Sequence, residues 1–171
     1  MAMRREGDMN DQIAATSAST SHEIDEREQI IACLSNFFVR MSSHYGVEMA
    51  FLYGSWANGF PRPDSDVDVA VVFTGESRSQ DEVFARITNI SLSLSRELKR
   101  EVSVLQIDRD FEKPLLYYNA VVLGVPVYTS VKEDYITLIN EAIRQMEDFS
   151  IFGIGWQYEI ARKNLEAVKN A

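Results

Sequence analysis

The chain has 171 residues, 46% of them hydrophobic and 25% charged, which is typical of one globular domain with a buried core. Its formal net charge of −9 argues against a nucleic-acid backbone as the main partner, because duplex affinity comes largely from basic side chains. The one cysteine, Cys33, excludes an intramolecular disulfide, and no apolar run is long enough to span a membrane. These features predict a cytoplasmic protein.

The first half of the chain predicts a polar tail followed by alternating helix and strand. Residues 1–24 are rich in Ser, Thr and Ala without a hydrophobic period, so we expect a disordered tail. Apolar residues at helical spacing then predict a helix from about Asp25 to Gly46. Residues 47–53 and the valine-rich residues 66–73 predict two strands. The connection between them, residues 56–65, contains one glycine and two prolines and is expected to be irregular.

The second half continues this alternation and ends in a helical segment. Ser79 and Glu82 form a capping box that predicts a helix to about residue 98. A strand over 101–107, a helix over 114–123 and an edge strand over 125–128 follow. The order predicts an α/β (α+β) fold, a short mixed sheet backed by helices, with a domain at 25–130 and a helical segment at 131–171.

The C-terminal segment contains an aromatic stretch, residues 149–160. Gly153 and Gly155 lie within it and are expected to interrupt the last helix. Two explanations of the aromatic side chains remain open: they pack in the core, or they form a docking surface for another chain.

The most informative motif is a Gly-Ser pair at the end of one predicted strand, followed after ten residues by Asp-x-Asp at the start of the next. Asp66 and Asp68 are two residues apart on a strand, so their side chains share one face. Two adjacent carboxylates repel unless a cation lies between them, and Mg²⁺ prefers such oxygen ligands together with substrate phosphates. Gly54 lets backbone amides approach a phosphate, and Ser55 adds a hydroxyl.

This pattern, GSx(10)DxD, resembles the signature of the DNA polymerase beta superfamily of nucleotidyltransferases. The short chain is similar to the minimal nucleotidyltransferases, the MNT or MntA-like antitoxins. The likeness continues through residues 115–128 (LLYYNAVVLGVPVY), which end in the Gly-x-x-x-Tyr turn of the family, and covers roughly residues 30–130.

The resemblance implies a polymerase beta-like nucleotidyltransferase fold and an enzyme that transfers a nucleoside monophosphate, usually adenylyl from ATP, to a hydroxyl. It implies Mg²⁺ or Mn²⁺ bound by Asp66 and Asp68, which also act in catalysis. The implied nucleotide-binding residues are Gly54, Ser55, Ser65, Asp66 and Asp68. The implied acceptor is a partner protein, a HEPN-type toxin that the antitoxin silences by adenylylation.

Two positions depart from the family pattern. The family usually has a third carboxylate on the later strand, where this chain has Ser103. Glu101 lies two residues earlier on the same face, so we expect it to be the third catalytic carboxylate; alternatively it only caps the exposed end of the strand. The family often has an arginine at the position where this chain has Asn58. The positive charge of that arginine on the triphosphate is lost here unless Arg62 replaces it.

These departures leave two other functions open. One is a non-catalytic antitoxin module that binds nucleotide without turnover. The other is a small-molecule nucleotidyltransferase of the aminoglycoside type, although such enzymes usually carry a larger C-terminal substrate domain. The sequence leaves the nucleobase, the acceptor and the oligomeric state open.

Overall fold

The computed structural model describes residues 6–62, 64–75 and 79–169, and these residues contain a four-stranded sheet. The strands are β1 (Val47–Tyr53), β2 (Val67–Phe73), β3 (Val102–Gln106) and β4 (Val125–Thr129), in the order β3-β2-β1-β4. β1 pairs antiparallel with β2 and β4, whereas β2 pairs parallel with β3. The predicted mixed sheet is therefore confirmed.

Helices cover both faces of this sheet. They are α1 (Glu6–Tyr45), α2 (Gly54–Asn58), α3 (Gln80–Leu98), α4 (Pro114–Val121) and α5 (Lys132–Lys169). One buried cluster joins α1, α2 and α3 to the sheet, and a second joins α4 and the start of α5 to the opposite face. The layers are helix, sheet and helix, as the alternation of elements predicts.

β2 shows why the strands are apolar along nearly their whole length. Its residues Val67, Val69 and Val71 belong to the cluster under α1 and α3. Ala70 and Val72, which alternate with them, belong to the cluster under α4 and α5. A strand buried on both faces carries a continuous apolar run. Asp68 interrupts this run on the α4 and α5 face, so its position in a buried strand requires a separate explanation.

Local sequence signals place the ends of several helices. Gly46, with φ of 65°, follows the last residue of α1 and adopts the left-handed conformation that glycine allows. The Ser79 side chain accepts a hydrogen bond of 3.3 Å from the backbone N–H of Glu82, which confirms the predicted start of α3 with Ser79 as its N-cap.

Three predicted boundaries were wrong. α1 begins at Glu6, whereas the sequence predicted a helix from about Asp25; this stretch has no proline to stop the helix, and residues 1–5 lie outside the described residues. The division into a tail at 1–24 and a domain stays a prediction. Residues 56–58, which were expected to be irregular, are helical; they belong to α2, which follows β1 directly. β2 begins at Val67, so Asp66 precedes the strand.

The last helix is continuous, contrary to the expected break at Gly153 and Gly155. A glycine costs a helix only about 1 kcal/mol, which the long flanking helical segments offset. None of the helices in the described ranges combines the length and apolar character needed to cross a membrane.

Gly124 provides a test of the packing between α4 and β1. A Cβ built there would lie 2.1 Å from the Ala120 carbonyl oxygen and 2.8 Å from that of Leu52. Both are backbone atoms, so Gly124→Ala should destabilise the fold by about 1–3 kcal/mol in urea unfolding. The matched control is Gly155→Ala, whose Cβ meets nothing within 4 Å in a helix interior and should stabilise by about 0.5–1 kcal/mol. Equal effects of the two variants would contradict this packing.

Candidate active site

The two halves of the Gly-Ser and Asp-x-Asp motif are in direct contact. β1 ends at Tyr53, which lies opposite Asp68 in the β1–β2 register. Gly54 follows with φ of 73°, and a Cβ built on it would lie 2.2 Å from Asp68 Oδ2. Only glycine fits here, because both the left-handed backbone and the approach of the carboxylate exclude a side chain. The structure thus explains why a carboxylate interrupts the buried strand: it faces the Gly54 turn.

The two aspartates differ in environment. Asp68 is half-buried on β2, whereas Asp66 is exposed one residue before the strand. Burial raises the pKa of the Asp68 carboxyl, and the negative charge of Asp66 raises that pKa further. The effect of Asp66 shows that the charges interact across the start of β2. A cation between the carboxylates would remove this penalty.

The buried side chain of Trp56 connects the two halves of the motif. Its side chain is only 1% exposed, and its Nε1–H donates a 3.2 Å hydrogen bond to the carbonyl oxygen of Ser65, directly before Asp66. Arg27 of α1 donates to the carbonyl oxygens of Trp56 and Ala57 at 2.9 and 3.0 Å. These bonds link α2, the segment before Asp66 and α1 in one arrangement. Trp56 is therefore a buried packing residue.

Ser65 and Ser55 differ in what the structure shows of their hydroxyl groups. The Ser65 hydroxyl accepts a 2.8 Å hydrogen bond from the backbone N–H of Arg62, which shapes the segment entering Asp66. Ser55 lies in α2 directly after Gly54 and is partly exposed. The nucleotide contacts expected of both residues stay predictions.

The register between β2 and β3 shows where Ser103 and Glu101, the two residues in question for a third carboxylate, lie relative to Asp68. Ser103 on β3 lies directly opposite Asp68 in the parallel β2–β3 register and is exposed. The backbone carbonyl of Glu101 accepts a 2.9 Å hydrogen bond from the N–H of Val67, which places Glu101 beside the start of β2. Across residues 6–62, 64–75 and 79–169, no three acidic, His or Cys side chains group as a metal site. The role of Glu101 stays a prediction.

Tyr53 is a site residue that the sequence reading missed. It is partly exposed at the end of β1, and burial together with the nearby Asp68 charge raises its pKa to about 12. The hydroxyl therefore keeps its proton at neutral pH and remains a hydrogen-bond donor. The position of Tyr53 directly before Gly54 was a signal in the sequence. The proximity of Tyr53 to Asp68, however, depends on the β1–β2 register.

The donor set fits a divalent cation of the Mg²⁺ type. Asp66 and Asp68 supply carboxylate oxygens. Gly54 has no side chain, so nothing at position 54 covers the Asp68 carboxylate. Mg²⁺ takes one or two protein carboxylates and fills its remaining positions with water and phosphate oxygens. Two carboxylates beside a glycine turn meet that requirement.

The comparison with protein families agrees with this arrangement. Residues 21–133 match the family model described as polymerase beta, nucleotidyltransferase, which covers more than half of the chain and includes the whole motif. The chain belongs to the polymerase beta nucleotidyltransferase family. No curated protein sequence matches it.

Solved structures with the same fold come from toxin–antitoxin pairs. A mutant of the pair MntA–HpeT has a TM-score of 0.60 at 12% identity, over 74% of this chain and 98% of that chain. A toxin–antitoxin structure with AMP-PNP gives 0.60 at 14% identity, over 74% and 98%. A tri-AMPylated Shewanella oneidensis HEPN toxin in complex with MNT antitoxin gives 0.57 at 12% identity, over 77% and 98%. At these identities the similarity shows a shared fold.

The electrostatics of the aspartate pair predict a pH-dependent stability. Because the pKa of Asp68 is raised on folding, its ionisation opposes folding: the penalty is absent below the unfolded pKa and complete above the folded one. Asp68→Asn should therefore be more stable than wild type at pH 7 in EDTA, and this gain should disappear towards about pH 3. Urea unfolding at both pH values measures it.

Asp66→Asn is the matched control, because it removes the neighbouring charge and leaves Asp68 desolvated. Its gain in stability should be smaller than that of Asp68→Asn. A gain of Asp68→Asn that is the same at both pH values would contradict the assignment.

Proposed function

We propose that this protein is a metal-dependent nucleotidyltransferase that transfers a nucleoside monophosphate, AMP from ATP, to a hydroxyl of a partner protein. The observation that supports it most is the contact between Gly54 and Asp68, which brings the glycine turn and the acidic pair of the family motif to one point. The fold shared with toxin–antitoxin structures, one of them with AMP-PNP, supports the choice of ATP and of a HEPN-type toxin as partner.

Each residue of the motif would have a separate role in this reaction. Asp66 and Asp68 would hold Mg²⁺ or Mn²⁺, and the bound cation would supply the positive charge that screens the triphosphate. Gly54 and Ser55 place backbone amides and a hydroxyl against the phosphate oxygens. The acceptor hydroxyl attacks the α-phosphorus in line while the bond to the bridging oxygen of the β-phosphate breaks. Pyrophosphate leaves, and the hydroxyl proton passes to a base, for which Glu101 is the proposed residue.

A non-catalytic nucleotide-binding antitoxin remains the second candidate function. The observation in its favour is Ser103 opposite Asp68, where a third carboxylate would directly join the aspartate pair. Serine neither carries a negative charge nor accepts a proton at neutral pH.

Gly54 provides a direct test of the proposed nucleotide site. Gly54→Ala forces the Asp68 carboxylate to move and should weaken Mg²⁺-dependent ATP binding by about 10- to 100-fold in calorimetry. The control is Gly59→Ala, which has a similar φ of 78° but no atom within 4 Å of its Cβ. Both variants carry the backbone strain of about 1–2 kcal/mol, and only the first displaces Asp68. Equal loss of binding in both would contradict the proposed site.

The third carboxylate separates the two candidate functions. If Glu101 is the base, Glu101→Gln should lower AMP transfer from labelled ATP by about 10²- to 10⁴-fold and leave nucleotide binding nearly unchanged. If no base is present, wild type should bind nucleotide with slow transfer, and Ser103→Asp should raise the rate. Fast wild-type transfer that Glu101→Gln leaves unaffected would exclude Glu101.

A further inference from the structure

The last helix extends far beyond the folded domain. Leu138 and Ala142 pack in the core cluster under α4, and after Ala142 no described side chain of α5 is buried. The remaining residues, 143–169, span about 40 Å of helix. The family match ends at residue 133, so this part of α5 lies outside the matched catalytic domain. Its surface therefore requires an explanation other than catalysis.

One side of this helix carries an exposed apolar stripe. The stripe, called here the aromatic face, consists of Phe149, Phe152, Trp156 and Ile160, at spacings of three, four and four residues. Phe152 and Trp156 are 76% and 67% exposed. Monomeric soluble proteins rarely leave large aromatic side chains contiguous and uncovered. The open question from the sequence is thus answered in part: the aromatic side chains do not pack in the core of this chain.

We propose that the aromatic face is a homodimer interface, in which two copies of α5 pack antiparallel about a two-fold axis near residue 154. In the heptad register that places Phe149 and Trp156 at a positions and Phe152 at a d position, Phe152 of each copy lies opposite Trp156 of the other. A two-fold interface requires the same patch on both copies to be self-complementary, and this register meets that requirement for Phe152 and Trp156, whereas Phe149 lies opposite Glu159 at each end of the contact.

The charges beside the aromatic face favour this orientation. Asp148 and Arg162 are fourteen residues apart, two heptads, so both occupy the g position on the same side of the stripe. In the antiparallel register each Asp148 lies beside Arg162 of the other copy, which gives two opposite-charge pairs per dimer. A parallel pair would instead place Asp148 beside Gly153, without a charged partner.

Both charged groups are available for this pairing. The side chains of Asp148 and Arg162 are 56% and 53% exposed. Within one copy, Asp148 lies 3.7 Å from Arg144, and Arg162 lies 2.9 Å from Glu159. A second copy would add a partner to each of these exposed ion pairs without desolvating an isolated charge.

The size of the aromatic face suits a reversible dimer. Because they are only partly exposed within one copy, the three aromatic side chains and the isoleucine can bury at most about 450 Å² per copy, whereas a standard interface takes about 800 Å² per partner. An interface of this size corresponds to a weak dimer that forms at high protein concentration. A second apolar stripe, Ile151, Tyr158 and Leu165, lies on the opposite side of α5 and is at least as exposed, but it is not part of the proposed contact, so it is an internal control.

Sedimentation velocity of the full chain over a concentration series tests the proposal. Wild type should sediment as a dimer, and Phe152→Glu and Trp156→Glu as monomers. Ile151→Glu, on the opposite stripe, should remain dimeric. Circular dichroism and Mg-ATP binding, which do not depend on the aromatic face, check that each variant is folded.

A charge exchange tests the antiparallel orientation without touching the apolar residues. Asp148→Arg and Arg162→Asp should each weaken the dimer by roughly tenfold, and the double variant should restore it. A monomeric wild type at every concentration would overturn the proposal. So would equal disruption by Ile151→Glu, a double variant that does not recover, or an aromatic face that binds a helical partner protein while the chain itself stays monomeric.

Discussion

The site depends on one close approach, that of the Asp68 carboxylate to the backbone of Gly54. The antiparallel pairing of β1 and β2 puts Tyr53 opposite Asp68, so the residue after Tyr53 must leave room for a carboxylate. Glycine satisfies this in the left-handed conformation that also starts α2. The same contact holds a half-buried charge beside a second one, and the raised pKa of Asp68 reflects its energetic cost. The fold thus maintains an arrangement that a bound cation would stabilise.

The surrounding structure restricts how this arrangement can move. The buried indole of Trp56 bonds to the Ser65 carbonyl, and Arg27 bonds to the two carbonyls at the end of α2. The Arg100 guanidinium lies over the Trp56 ring, 5.0 Å from its centre. The Gly54 turn and the segment before Asp66 are therefore held by the same side chain. Preorganised positioning of this kind is what phosphoryl-transfer sites depend on.

Local signals in the sequence were sufficient for most elements. The capping box at Ser79 and the valine run of β2 predicted their elements because each acts within a few residues. The continuity of α5 through Gly153 and Gly155 was not predicted, since a glycine can either end a helix or be tolerated within one, and the rest of the helix decides. The packing of Trp56 depends on contacts with Arg27, 29 residues away, which no local pattern contains.

The candidate site was predicted in part for the same reason. Gly54 and Asp68 share one motif, and the structure brings them together as the motif predicts. Tyr53 is a neighbour of Asp68 only through strand register, which the sequence alone does not fix. Ser103 was identified from the family resemblance, and the register places it opposite Asp68. Register also separates the candidate functions, because it places a serine where a third carboxylate would lie closest to the pair.

The central claim is that the Asp68 carboxylate at the Gly54 turn binds a divalent cation together with a nucleoside triphosphate. Calorimetric titration of ATP into wild type and Asp68→Asn, each with Mg²⁺ and with EDTA, tests it most directly. Wild type should bind ATP with Mg²⁺ and lose that binding in EDTA, and Asp68→Asn should not bind under either condition while remaining folded. Equal affinity of the two proteins for Mg-ATP would contradict the claim.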